Sequence, residues 1–228
     1  MSPRALTHPL LQGVAHGFGV RGAQEPVRAV RPRQVHGVDV VHAVGTSDPP
    51  GEADAIVSRV PGLCVAVVTA DCVPILVADE QGQAVAAIHA GWRGLARGVI
   101  PRAVAALRHE LAPATGLRAV VGPCIGACCY EIDEPVMAAM QSRFRAELGG
   151  AARHRGGGHA LLDLALLARA DLVREGVSPE AIGGFPAACT RCDPDRFHSY
   201  RRDGARAGRL LHWIAAGPLR LDTPAGEL

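Results

Sequence analysis

Three segments of the chain each set a metal-capable side chain at the edge of a predicted regular element. RQVHG places His36 in a polar loop, TADCVP places Cys72 just after a buried apolar run with Asp71 before it, and AAIHAGWRG places His89 at the end of another such run. Two imidazoles and one thiolate make a borderline-soft donor set that suits zinc first and copper next. Three protein ligands leave one tetrahedral position open, the mark of a catalytic rather than a structural zinc, and water in that position ionises near pH 7. The ligands stand 36 and 17 residues apart, so spacing alone does not decide for a metal. The same residues also read as a thiol hydrolase, with Cys72 as nucleophile, His89 as its base and Asp71 orienting the imidazole. Blander still, Cys72 is a small buried hydrophobe and the histidines are ordinary loop residues. Residue type and spacing leave all three open.

Other segments carry weaker signals. CTRC gives Cys189 and Cys192 a CxxC spacing, half of a structural zinc site or a redox pair, but no second CxxC exists and two incidental thiols is the simpler reading. GPCIGACCYE holds Cys124, Cys128 and Cys129 in a glycine-rich turn. Adjacent thiols are awkward as joint ligands, while the turn's amides could cradle an anion. FHSYRRDG pairs Arg201 with Arg202 beside Tyr200, which suits a phosphate or carboxylate, or equally a solvated charged loop. The glycines of GWRGLARG have the wrong spacing for a dinucleotide fingerprint.

All 24 basic residues among the 228 are arginine; lysine and asparagine are absent. That excludes a Schiff-base or P-loop lysine, a Cys-His-Asn triad and an N-glycosylation sequon, and leaves anion binding to arginine, histidine or backbone amides. A formal net charge of +2 gives no reason to expect nucleic acid or a membrane surface as partner. The start, MSPRALTHPLLQGVAHGFG, does not read as a signal peptide, and no apolar stretch reaches the roughly 20 residues of a membrane span. A cytoplasmic location is therefore expected, with the seven cysteines as thiols or ligands rather than disulfides.

The elements that must position these residues are read from periodicity. Residues 62–70, 73–79 and 84–90 are continuous apolar runs that predict buried strands, the last two joined as a hairpin through EQGQ. GLARGVIPRAVAALRHEL predicts a helix in which Pro101, inside the pattern, brings a kink or a later helix start. A strand is expected over 117–123, a helix over 133–148, and a flexible turn at RHRGGGHA. Asp163 is expected to cap a helix that Gly176 ends, and GRLLHWIAA to form a final strand. The stretch from Arg21 to Pro50 reads as loops with short strands. Strands and helices without strict alternation predict an α+β layered domain, one unit over residues 1–228.

Taken in order, RQVHG, ADAIVS, TADCVPILVAD, AAIHAGWRGLARGVI, VGPCIGACCYEI and FHSYRRDG closely resemble the YfiH-like family, also called the laccase-domain, polyphenol oxidase or purine nucleoside phosphorylase family. The resemblance runs from about residue 16 to residue 215. It implies mixed β-sheets flanked by helices, likened to cytotoxic necrotizing factor, and a zinc held by His36, Cys72 and His89. It also implies phosphorolysis of adenosine, inosine and methylthioadenosine together with adenosine deamination. The names copper-dependent polyphenol oxidase and peptidoglycan editing factor attach to the family too, and a non-catalytic metal-binding protein is the remaining alternative. On this reading Asp71 shuttles a proton in deamination, and Arg33, Arg93, Arg201 and Arg202 hold phosphate beside a purine nucleoside. Two departures from the family pattern bear on the pocket: the stretch between Arg21 and RQVHG is shortened, and RRDGARAGR has Ala207 where a threonine is usual.

Overall fold

The structure, a computed structural model, describes residues 4–26, 28–45 and 51–217. Part of the predicted loop stretch before Pro50, residues 46–50, and Val27 lie outside them. In chain order the strands are β1 (Ala15–Phe18), β2 (Ala29–Val30), β3 (Val40–His42), β4 (Ala55–Ser58), β5 (Cys64–Thr69), β6 (Val73–Asp79), β7 (Val85–Ala90), β8 (Leu117–Val121), β9 (Glu131–Ile132), β10 (Ala152–Gly156), β11 (His159–Leu162), β12 (Ile182–Gly184) and β13 (Leu210–Ala215). The helices are α1 (Trp92–Arg97), α2 (Val99–His109), α3 (Glu134–Arg143), α4 (Leu148–Ala151), α5 (Leu164–Arg174) and α6 (Tyr200–Asp203).

A six-stranded mixed sheet, ordered β12-β8-β6-β7-β4-β3, forms the middle layer. Its strands alternate between two cores. Ile75, Val77, Ala86 and Ile88 face one side, where α2 and α5 bring Val104, Leu107, Leu167 and Leu172. Leu76, Ala78, Val85 and Ala87 face the other, against Val65 and Val67 of β5 and Ile214 of β13. The second layer is the four-stranded sheet β1-β13-β5-β2. With both faces covered, these strands must be apolar at every position, which is why they read as unbroken runs rather than an alternation. Each fully buried Val, Leu or Ile there contributes about 1.5–3 kcal/mol. A three-stranded sheet, β10-β11-β9, completes the α+β fold.

The predicted hairpin is present: β6 pairs antiparallel with β7, with Pro74 opposite His89. The final strand is β13, and Asp163 caps α5 by accepting from the Leu166 amide at 2.9 Å. Three local expectations take a more specific form. The helix break falls at Gly98, whose φ of 87° is left-handed and closes α1, while Pro101 lies in the first turn of α2. Proline is tolerated there because a first-turn N–H has no intrahelical partner. The helix expected over 133–148 stops at Arg143, and α4 follows separately. The expected turn at RHRGGGHA is the tip of the β10–β11 hairpin, where Gly156, Gly157 and Gly158 all have positive φ.

A buried histidine in the second layer sets an acid limit. His212 of β13 meets the Thr69 hydroxyl at 2.9 Å, its Nδ1 has no partner among the described residues, and burial drives its pKa from 6.5 down to about 3. Below pH 6.5 the unfolded chain therefore takes up a proton that the folded chain refuses. Stability falls as pH drops from 6.5 towards 3, by about 1.4 kcal/mol per pH unit from this residue. Denaturant titrations between pH 7 and 4 should show a shallower acid limb for His212→Leu; parallel limbs would contradict this.

Candidate metal centre and its cleft

His36, Cys72 and His89 come together where β7 ends, β6 begins and the loop before β3 folds over them. One donor atom from each lies within 4.8 Å of the other two. Cys72 Sγ is 3.9 Å from His36 Nε2. The two imidazole rings meet edge to face with centroids 4.9 Å apart.

Much of this geometry is imposed by Asp54, a fully buried residue of the ADAIVS segment just before β4. Its carboxylate accepts the amides of Val35, His36 and Gly37 at 3.1, 3.0 and 2.6 Å, so one side chain shapes the whole QVHG loop. It also accepts His89 Nδ1–H at 2.7 Å. That bond fixes the tautomer and leaves Nε2 as the ring nitrogen available to a metal, the usual carboxylate–histidine support of a metal ligand. Gln34 makes a second anchor. Its side-chain amide donates to Val68 O at 2.8 Å and accepts from Val68 N at 2.7 Å, as a neighbouring strand would. Sequence reading quoted the segments of both residues without giving either a role, because their partners are backbone groups distant in the chain.

Local strain accompanies the site. His36 and Asp71 hold φ of 58° and 93°, a left-handed conformation costing on the order of 1 kcal/mol for a non-glycine residue, and such residues cluster at functional sites. Gly91, between His89 and α1, permits close approach. A Cβ there would lie 2.9 Å from His36 Cδ2 and 3.1 Å from Cys72 Sγ. Gly91→Ala should weaken metal binding by about tenfold with the fold intact, read by competition against a chromophoric chelator. Unchanged affinity would show that the ligands need no such room.

The electrostatics suit a metal ligand and a nucleophile alike. Burial alone would raise the Cys72 thiol, but hydrogen bonds and charge from His36 and His89 bring it down to about 6. Burial would lower His89, but Asp54 and Cys72 outweigh it and raise the ring to about 9. Burial also works against the Asp54 carboxylate, yet His89 and the amides of Gly37 and Val35 hold its pKa below the ordinary value. The pair thus favours a thiolate at Cys72, the form in which a cysteine ligates a metal or attacks a carbonyl.

The three residues lie in a cleft of about 890 Å³. Arg33, Arg93 and Arg201 line it, and so do Arg31 and Arg209, which sequence reading did not single out. Arg33 is paired with Glu52. Arg93 stacks on Trp92 at 4.5 Å, and Arg201 lies over the Tyr130 ring at 5.0 Å while donating to Glu131 O at 2.8 Å. Tyr200 and Ile125 complete the walls. Arg202 is not among the lining residues. Its guanidinium donates to the carbonyls of Thr190, Arg191 and Phe197 and to Asp203, tying a loop together. Asp71 lines the cleft, but its carboxylate accepts the Thr190 hydroxyl and the Arg201 amide, each at 2.6 Å. Ala207 does not line the cleft; its carbonyl accepts from Arg209. A second candidate cluster, Cys128, Cys129, Cys189 and Cys192, lies elsewhere.

A family model described as multi-copper polyphenol oxidoreductase laccase matches residues 18–217. The chain belongs to this family. Within the laccase family it is similar to a purine nucleoside phosphorylase of Xylella fastidiosa strain 9a5c, 41% identical over 189 residues covering 80% of this chain and 70% of the relative. It is also similar to adenosine deaminase RL5 of an unknown prokaryotic organism, 36% identical over 71% of this chain and 61% of the relative. Among solved structures, the Bacillus licheniformis hypothetical protein YfiH superposes with a TM-score of 0.84 at 25% identity, covering 95% of this chain and 97% of the other. Like these laccase-family relatives, the chain is an enzyme. No helix among its described residues is long and apolar enough to cross a membrane.

Proposed function

We propose that this protein is a zinc-dependent purine nucleoside phosphorylase, acting on adenosine, inosine and methylthioadenosine, with adenosine deaminase activity in the same cleft. The observation that carries the reading is the His36–Cys72–His89 cluster at the wall of an arginine-lined cleft of about 890 Å³. The relatives named for purine nucleoside phosphorylase and adenosine deaminase support it. The chain acts as one domain over its whole length, in a reducing cytoplasm where the thiols stay available.

The donor set fits a single borderline ion. Two imidazoles, one held by a carboxylate, and a thiolate of lowered pKa are the ligands zinc favours, with copper second. When bound, zinc supplies Lewis-acid activation at neutral pH. A multicopper laccase needs many more histidines around one centre than these two. The rest of the chemistry belongs to the chain. Asp54 orients His89, and Gln34 and Gly91 set the distance at which His36 and Cys72 approach. Arg93 and Arg201 carry the positive charge that phosphate needs beside the anomeric carbon, and Arg33 joins them by releasing Glu52. Tyr130, Tyr200 and Ile125 offer faces to a purine ring. Because each oxygen of Asp71 already accepts a short hydrogen bond, we assign it to positioning the Arg201 segment rather than to proton transfer. Arg202 has a similar structural role in the adjoining loop.

Adenosine with inorganic phosphate should yield adenine and ribose 1-phosphate, with some inosine. Arg201→Ala keeps the backbone amide that binds Asp71 and removes the guanidinium, with its charge, its hydrogen bond to Glu131 O and its contact with the Tyr130 ring. It should raise the KM for phosphate about tenfold or more, the loss of one charge-assisted contact. Phosphate-independent release of base, or an unchanged KM, would sink the assignment. The lowered Cys72 thiol keeps one rival reading in play, an amide hydrolase editing peptidoglycan precursors. Activity that survives chelation and disappears on thiol alkylation would favour it.

A further inference from the structure

We propose that Cys128, Cys129, Cys189 and Cys192 form a second, structural metal site that holds one zinc ion and staples together the two loops forming a wall of the cleft. The CxxC half was legible in the sequence, and its missing partner is supplied by the adjacent pair Cys128–Cys129 from another loop. All four sulfurs lie within 4.8 Å of one another. Cys192 Sγ is 3.6 Å from Cys128 Sγ and 3.3 Å from Cys129 Sγ. A tetrahedral ion with Zn–S bonds of about 2.3 Å requires sulfurs about 3.8 Å apart. The observed spacing is near that value and far beyond the roughly 2.05 Å of a disulfide. Clusters with bridging sulfide spread their cysteines wider than one ion does, so the compact arrangement favours a single centre. Four thiolates select zinc among the ions that need no oxidant.

Backbone groups are arranged as such a site needs. The Gly126 amide donates to Cys189 Sγ at 3.3 Å. A Cβ on Gly126 would lie 3.3 Å from Cys128 Sγ, so glycine leaves room for the sulfurs. The Arg191 side chain lies at Cys129 and offsets part of the charge left when the thiols release their protons to solvent. The sequence offers Cys189 and Cys192 only as incidental thiols, and Cys128 and Cys129 as an awkward pair, because adjacent residues cannot easily share an ion along an extended chain. The turn at Gly126, whose carbonyl accepts the amides of Cys129 and Tyr130, removes that difficulty.

The two loops are braced to the cleft. Cys124 and Cys189 form an isolated bridge, and the Thr190 amide donates to Cys124 O at 3.0 Å. Ile125 and Tyr130 on one loop line the cleft, while Thr190 on the other holds Asp71, which holds Arg201. A zinc here positions walls and touches no substrate. Four protein ligands close the site, as in structural zinc centres.

The test is a metal count on protein purified under reducing conditions. Parent protein should carry two zinc ions per chain, and Cys189→Ser/Cys192→Ser should carry one. Cys72→Ala should likewise keep one, and its cobalt(II) form should show the intense visible and thiolate charge-transfer bands of a tetrahedral all-thiolate site. That arm does not need the double variant to fold. A parent content no higher than that of the double variant, no cobalt spectrum in Cys72→Ala, or a Cys129–Cys192 disulfide found by mass in the reduced protein would each overturn the site. One further arm rests on the nucleoside reading. The double variant should show a raised nucleoside KM with kcat changed less. If neither protein turns over any nucleoside, that reading fails while the metal count still decides the site.

Discussion

Cys72→Ala should lose phosphorolysis by on the order of a thousandfold, about 4 kcal/mol of transition-state stabilisation, together with one zinc per chain. Cys72 precedes β6 at the cleft and is only partly buried, so its side chain supports little of the core. Stability of the metal-free protein should change by less than about 1 kcal/mol, and loss of function will not reflect unfolding. Cys72→Asp separates the two chemistries the cluster permits. A carboxylate still ligates zinc but is no thiol nucleophile. The aspartate variant should therefore retain measurable metal at this site and some turnover above the alanine variant. If both variants are equally dead while metal stays at the parent level, Cys72 acts as a nucleophile and not as a ligand.

Asp54→Ala should have the largest effect on stability. The substitution strands the buried His89 Nδ1–H and removes the acceptor of the Val35, His36 and Gly37 amides, since Asp54 accepts all four. Removing one partner of a buried, hydrogen-bonded charge pair costs about 3–5 kcal/mol. The imidazole also loses the carboxylate that fixes its tautomer, which weakens metal binding by roughly 10–100-fold. Asp54→Asn keeps the shape and one acceptor oxygen, so it should fall between parent and alanine variant on both scales. Chemical denaturation and chelator competition read the two quantities separately. A loss under about 1 kcal/mol with unchanged metal affinity would show that the loop is held by something else.

These two residues mark what the sequence could and could not reveal. Cys72 and His89 were legible because each lies at the end of an apolar run, where a strand delivers a side chain to a cleft edge, and His36 because a metal-capable imidazole stands in the polar RQVHG loop. The runs themselves were legible because β6 and β7 are covered on both faces and have no polar alternation to confuse the reading. Asp54 gave no such signal. Its partners are three amides of a loop 17 to 19 residues away and one imidazole 35 residues away, and backbone donors have no sequence signature. Arg202 looked equivalent to Arg201, yet the short helix α6 turns one towards Tyr130 and the other into a ring of carbonyls. Pro101 pointed to a kink or a later helix start, and α2 does start later, but the residue that ends α1 is Gly98, because it adopts the left-handed φ. The four-cysteine cluster was only half visible, since its two halves are about 60 residues apart and one of them is an adjacent pair.

The central claim is tested most directly by measuring zinc content and adenosine phosphorolysis on the same sample through removal and return of metal. Chelation under reducing conditions should abolish release of adenine and ribose 1-phosphate. Zinc returned in stoichiometric amount should restore it, with activity rising in proportion to occupancy of the His36–Cys72–His89 site. Full phosphorolysis after exhaustive removal of metal, lost only when Cys72 is alkylated, would contradict the account.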